Sequence, residues 1–118
     1  MLSSVDNNDQ VSPDDRLQGT LDLLVLRTLT EGPLHGWAIS RRIRERSGDV
    51  LQVNQGSLYP ALHRLESDGW LVAEWTVAET GRRAKVYQLT AHGRRALARE
   101  ERGWLAFVAA VTQVLRPA

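Results

Sequence analysis

Between residues 70 and 89 the periodicity of this chain changes, and that change limits the folds open to it. Residues 70–77 and 84–89 are rich in aromatic and β-branched side chains, which is the composition of short strands. Between them, Ala78-Glu79-Thr80-Gly81-Arg82-Arg83 makes a turn with a basic tip. Together these segments predict a β-hairpin. Elsewhere, past a polar start, the apolar residues recur mostly at helical spacing. The chain is therefore expected to be mainly α with one small hairpin, in the order helix, helix, short strand, helix, hairpin, helix.

Each predicted helix carries its own local signals. Leu17, Leu21, Leu24 and Val25 share a face and Leu29 closes it, which predicts a helix over 17–31 that Gly32-Pro33 ends. A second helix is predicted over 35–46, with Ala38, Ile39, Ile43 and Trp37 as its apolar side and Arg41, Arg42, Arg44 and Arg46 around the rest. Ser47-Gly48-Asp49 is a turn, and residues 50–53 are expected to form the short strand. The third helix is predicted over 55–68, because Leu58, Leu62 and Leu65 fall at i, i+4 and i+7. Asn54 is its expected N-cap and Gly69 its stop. Pro60 removes one backbone bond in the first two turns, and some irregularity is expected there. Thr90 caps a last helix over 91–115, about 37 Å long at 1.5 Å per residue.

Three helices followed by a two-stranded wing make a winged helix-turn-helix. Residues 1–16 are read as a disordered acidic tail, 17–90 as the winged domain, and 91–118 as a C-terminal dimerisation helix. A helix fits the major groove of B-DNA and offers base edges its N-terminal residues, while a basic wing tip reaches backbone or minor groove. With its leucines buried, the third helix exposes Gln55, Ser57, Tyr59, His63 and Arg64, and the wing carries Arg82, Arg83 and Lys85. Gln pairs with adenine and Arg with guanine, while hydroxyl groups such as those of Ser57 and Tyr59 bond phosphate. Taken singly, each of these residues also suits an ordinary solvated face. The set in this order of elements points to double-stranded DNA.

The formal net charge of +1 hides an uneven distribution. Residues 1–16 hold four aspartates against Arg16, and the rest of the chain holds fourteen basic and ten acidic residues. Arginine supplies all but one of the basic side chains. It suits bidentate phosphate and guanine contacts, although a GC-rich coding sequence favours it too. There is no cysteine, which excludes disulfides, thiolate metal sites and cysteine nucleophiles and fits a cytoplasmic protein. No apolar run is long enough to span a membrane, and the acidic start lacks the apolar core of a signal peptide.

Three segments carry a family resemblance. They are Gly32-Pro33-Leu34-His35-Gly36-Trp37-Ala38-Ile39, the run from Gly56-Ser57-Leu58-Tyr59-Pro60-Ala61-Leu62 through Leu65-Glu66 to Gly69, and Lys85-Val86-Tyr87-Gln88-Leu89-Thr90-Ala91-His92-Gly93. On these the chain resembles the compact branch of the PadR family of transcriptional regulators, over about residues 17–115. The resemblance implies a homodimeric repressor on a pseudo-palindromic operator, with Tyr59 and the start of the third helix at the DNA. It further implies release by a small-molecule ligand. Trp37 departs from the tyrosine frequent in that family.

On the last helix, Leu97, Trp104 and Val111 stand seven apart, Val108 and Leu115 add the +4 positions, and Phe107 widens the stripe. This heptad-like seam is expected to hold a homodimer, the other reading being an intramolecular core helix. Trp104 suits either dimer packing or a platform for a flat apolar or aromatic ligand, as in compact relatives. His35, His63 and His92 lie on three separate elements, without metal spacing. No catalytic triad, phosphate-cradling loop or cofactor motif is present, so an enzyme is not expected. The alternative is a winged helix that binds protein rather than DNA, for which an apolar patch on the third helix is the expected mark.

Overall fold

The computed structural model describes residues 20–118. The acidic tail over 1–16 and the start of the first predicted helix lie outside the described residues. Helix α1 spans Leu21–Thr28 and continues into one 3-10 turn, Leu29–Glu31. Strand β1 (Leu34–His35), helices α2 (Gly36–Arg46) and α3 (Gln55–Ser67), strands β2 (Leu71–Val77) and β3 (Arg83–Leu89), and helix α4 (Ala91–Leu115) follow. The architecture is mainly helical with a small antiparallel sheet, as expected.

The short strand is found before α2 rather than after it. Leu34 pairs with Tyr87 and His35 with Val86, so β1 covers one edge of β3 and β2 takes the other. Residues 50–53 form no strand. Two successive left-handed residues, Gly48 at φ +62° and Asp49 at φ +67°, bend the chain just before them. Leu51 and Val53 then pack onto the core from a loop, and that packing is the origin of their strand-like alternation.

Helix α3 begins and ends where its local chemistry dictates. The Asn54 Oδ1 accepts from the Ser57 N–H at 2.8 Å. At the other end Trp70 N–H donates to Leu65 O and Gly69 N–H to Glu66 O, both at 3.0 Å, with Gly69 at φ +78°. This is a Schellman closure, which requires a left-handed residue and therefore favours glycine. The helix runs through Pro60 without a break.

The core joins α1, α2, α3 and the base of the sheet. Val25, Leu26, Leu29, Ile39, Leu58, Leu62 and Leu65 are fully buried, each large aliphatic side chain contributing about 1.5–3 kcal/mol of transfer free energy. Leu71, Tyr87 and Leu89 extend the core into the hairpin, and Leu97 brings in α4. Helix α4 starts hard against the hairpin base: a Cβ at Gly93 would stand 2.1 Å from the Trp70 carbonyl oxygen. Thr90 Oγ1 accepts from Gly93 N–H at 2.9 Å and donates to Gly69 O at 2.7 Å. From residue 98 onward every residue of α4 is exposed, so its later turns project from the core formed by the described residues.

Candidate nucleic-acid interface

At about 100° per residue, α3 divides into a core side and two flanks. Leu58, Ala61, Leu62 and Leu65 make the core side. Gln55, Tyr59 and Glu66 lie on the flank that faces the wing, while Ser57 and Arg64 lie on the flank toward α1. Tyr59 is exposed and its ring sits over Gly36 at the start of α2. Gln55 and His63 are exposed and Ser57 is half-buried beside the cap. Arg64 pairs with Asp22 of α1.

The wing owes its character to its register. Residues 71, 73, 75 and 77 of β2 lie opposite 89, 87, 85 and 83 of β3, and alternation puts all eight on one sheet face. That face grades from Leu71 and Leu89, which are buried, through Ala73 and Tyr87, to Trp75 with Lys85 and Val77 with Arg83. Its inner end is core and its outer end is cationic. The Arg83 guanidinium lies 4.7 Å from the Trp75 ring centre, and Lys85 Nζ lies 5.7 Å from the ring centres of both Trp75 and Tyr87. Lys85 also donates to Glu66 Oε1 of α3 at 3.2 Å. Burial raises the Tyr87 phenol above its ordinary value, while Lys85 pulls it back. The turn is closed by Ala78 N–H on Arg82 O and Gly81 N–H on Ala78 O, both 2.8 Å. Arg82 is exposed at its tip.

The outer wing face and the first turns of α2 and α3 enclose a cleft. Tyr59, Arg82, Arg83 and Lys85 line it together, joined by Trp37 and Trp75. Of the eight residues singled out from sequence, the structure brings these four into one site. Gln55, Ser57, His63 and Arg64 do not line that cleft. Trp37 and Trp75 were missed, although both are about half exposed. Their signal was indirect: Trp75 gains a role only once the register puts it opposite Lys85.

The four residues named on α4 also divide. Leu97 lies in the protomer's own core, whereas Trp104, Val108 and Val111 stand partly exposed on the projecting turns. Trp104 and Phe107 form a tilted ring pair with centres 6.0 Å apart. Among the described residues no group of three or more His, Cys, Asp or Glu side chains comes together as a metal site would need. No helix among them is long and apolar enough to cross a membrane.

Comparison with known proteins identifies the family and agrees with the fold. The model of the family described as "Transcriptional regulator PadR-like family" matches residues 25–99. The transcriptional regulator Rv3488 of Mycobacterium tuberculosis is 40% identical over 80 residues, which cover 68% of this chain and 71% of that protein. A crystal structure of a PadR family transcriptional regulator from Eggerthella lenta superposes with a TM-score of 0.76 at 32% identity, over 87% of this chain and 88% of that one. Bacillus subtilis PadR, named a negative transcriptional regulator, has been solved in complex with operator DNA. That structure matches with a TM-score of 0.62 at 28% identity, over 72% of this chain and 46% of the other.

Proposed function

Because the chain belongs to the PadR-like family of transcriptional regulators, whose similar members above are named as regulators and not as enzymes, we propose that it acts as a homodimeric repressor. It binds a pseudo-palindromic operator and leaves it when a small apolar or aromatic ligand binds. The observation that carries the DNA-binding part is the cleft that gathers Tyr59 of α3 with Arg82, Arg83 and Lys85 of the wing. A recognition helix and a cationic wing facing one space suit a groove and its flanking backbone.

The eight residues take separate roles in this reading. Gln55 and His63 face base edges from the exposed side of α3. Ser57, Tyr59, Arg82 and Arg83 face phosphates. Arg64 and Lys85 have carboxylate partners in the free protein, Asp22 and Glu66. Arg64 is more than half exposed, and so solvated a pair contributes little, so it readily exchanges its carboxylate for DNA. Lys85 and Glu66 are only about a third exposed, and that pair gives way less readily. The dimer is supported by the apolar side chains of the projecting turns of α4, Trp104, Val108 and Val111, which are exposed when only the described residues of one protomer are present. Two copies related by a two-fold axis match half-sites about 34–36 Å apart. Release by ligand rests on the exposed Trp104–Phe107 pair at that seam, and repression on the likeness to the negative regulator of Bacillus subtilis.

Gel shifts with DNA from upstream of the chain's own coding sequence, run across a salt series, test this reading. Affinity is expected to fall steeply as salt rises, because bound phosphates release counterions. Absence of binding, or binding indifferent to salt, overturns it in favour of a winged helix that contacts protein.

A further inference from the structure

The wing cleft is not the only cationic recess beside α3. A second groove lies between the outer side of α2 and the loop leading into α3, lined by Ser40, Arg41 and Arg44 on one side and by Gln52, Asn54 and the apolar Val50 and Val53 on the other. On α2, residues 37, 40, 41 and 44 fall within about 100° of arc. One strip therefore carries Trp37, Ser40, Arg41 and Arg44, and Trp37 is also a wall of the wing cleft. The two recesses adjoin through that tryptophan.

The four arginines of α2 are not equivalent. Arg42 and Arg46 both converge on Glu31, at the end of the turn after α1. Arg41 and Arg44 instead point along the groove side. The Arg41 guanidinium lies 4.9 Å from the Trp37 ring centre, a shelf that holds its plane in place. Its nearest carboxylate is Glu45 at 3.9 Å, and that of Arg44 is Asp49 at 3.4 Å, with all four side chains more than half exposed. Pairs so exposed are weak and screened. The Ser40 hydroxyl donates to Trp37 O at 2.9 Å and one Gln52 amide hydrogen to Asp49 O at 3.3 Å, so the groove offers two oriented guanidinium groups and the remaining amide hydrogens of Gln52 and Asn54. That is a donor set for an anion with several acceptor oxygens.

We propose that this groove is a second backbone-phosphate site, which takes a strand of duplex DNA on the far side of Trp37 from the wing. It rests on the DNA-binding reading above and adds Arg41 and Arg44 as contact residues, with Trp37 as the positioning residue between the two recesses. The groove holds the backbone and leaves base reading to α3. Asp49 competes with the phosphate for Arg44, and it does so from a left-handed backbone that glycine would hold more comfortably.

The test compares two double variants that lose equal charge. R41A/R44A empties the groove, and R95A/R99A removes two exposed arginines from the first turns of α4, at the other end of the hairpin from its tip. Binding is measured on the upstream duplex and on a scrambled duplex of the same composition, across a salt series, with circular dichroism to confirm the fold. R41A/R44A is expected to weaken both complexes on the order of tenfold or more near 0.1 M salt, and to flatten the log–log salt slope by about one for each phosphate no longer held. R95A/R99A is expected to leave affinity and slope unchanged. D49G is expected to tighten binding severalfold. If the unsubstituted protein binds DNA and R41A/R44A matches it, or if both double variants weaken it equally, the groove is not a phosphate site. An unchanged D49G counts against it as well. If the unsubstituted protein binds no DNA, the broader reading fails first.

Discussion

Gly36 lies directly beneath the ring of Tyr59. A Cβ at position 36 would stand 2.8 Å from Cε1 of that ring and 3.0 Å from its hydroxyl oxygen. The first residue of α2 therefore sets the height at which the tyrosine of α3 rests. Gly36→Ala is expected to push the ring outward without breaking the core, because Tyr59 is exposed and its far end is free to move. Unfolding free energy should fall by no more than about 1 kcal/mol, the low end for overpacking, while affinity for operator DNA drops severalfold. Thermal melts beside gel shifts separate the two effects.

Gly93 and Gly103 make a contrasting pair on α4. At Gly93 a Cβ would collide with the backbone carbonyl of Trp70, whereas at Gly103 it would meet nothing within 4 Å. Gly93→Ala is expected to destabilise by about 3 kcal/mol, since main chain must move to admit the methyl. Gly103→Ala is expected to stabilise by about 0.5–1 kcal/mol, as an exposed helix interior should. Urea unfolding of the two variants reads both signs.

Trp75 holds the wing cations over its ring. Removing it in Trp75→Ala leaves Arg83 and Lys85 in the chain but takes away their shelf. A loss of about two- to fivefold in DNA affinity is expected, the range of an exposed cation–π contact, and it should be the same for specific and scrambled duplexes. A change in sequence preference instead would mean that the wing reads bases.

Val108 sits on the later turns of α4, whose residues are all exposed. Val108→Asp is expected to yield a folded monomer, with unchanged circular dichroism and half the sedimenting mass. A variant that still sediments as a dimer would remove α4 as the seam.

The Tyr87 phenol titrates above its ordinary value of 10.0, chiefly because it is buried. The folded protein thus keeps this proton more firmly than the unfolded chain does. Stability is intact below the ordinary value and declines as pH rises past it, since deprotonation then favours the unfolded state. Urea midpoints followed upward from about pH 8, well below the phenol range, should fall less steeply in Tyr87→Phe than in the unsubstituted protein.

What could be read from sequence was what is decided locally. The Asn54 cap, the Gly69 stop and the Thr90 cap each depend on neighbours a few residues away, and each bounds its helix where expected. The short strand was misplaced because two residues carry no periodicity, and Leu34 becomes a strand only through pairing with Tyr87. The ion pairs behaved similarly. Arg64 meets Asp22 from 42 residues away and Lys85 meets Glu66 from 19, distances over which no spacing rule speaks. Trp75 was silent for the same reason, since its role depends on cross-strand register. Leu97 shares the heptad spacing of Trp104 and Val111 yet belongs to the protomer core, because periodicity fixes a face and not what covers it.

The bond from Thr90 to the carbonyl of Gly69 makes a mechanical joint. One hydroxyl caps the long helix and grips the end of α3, and Gly93 lets the two sides of the joint meet without a gap. Beyond it α4 is a stiff arm of about 37 Å, so a tilt of about 5° at the joint swings its far end by about 3 Å. The lever works in reverse as well. In the proposed dimer, a displacement of a few ångströms where the two arms meet would return to the joint as a small rotation of the head that carries α3 and the wing.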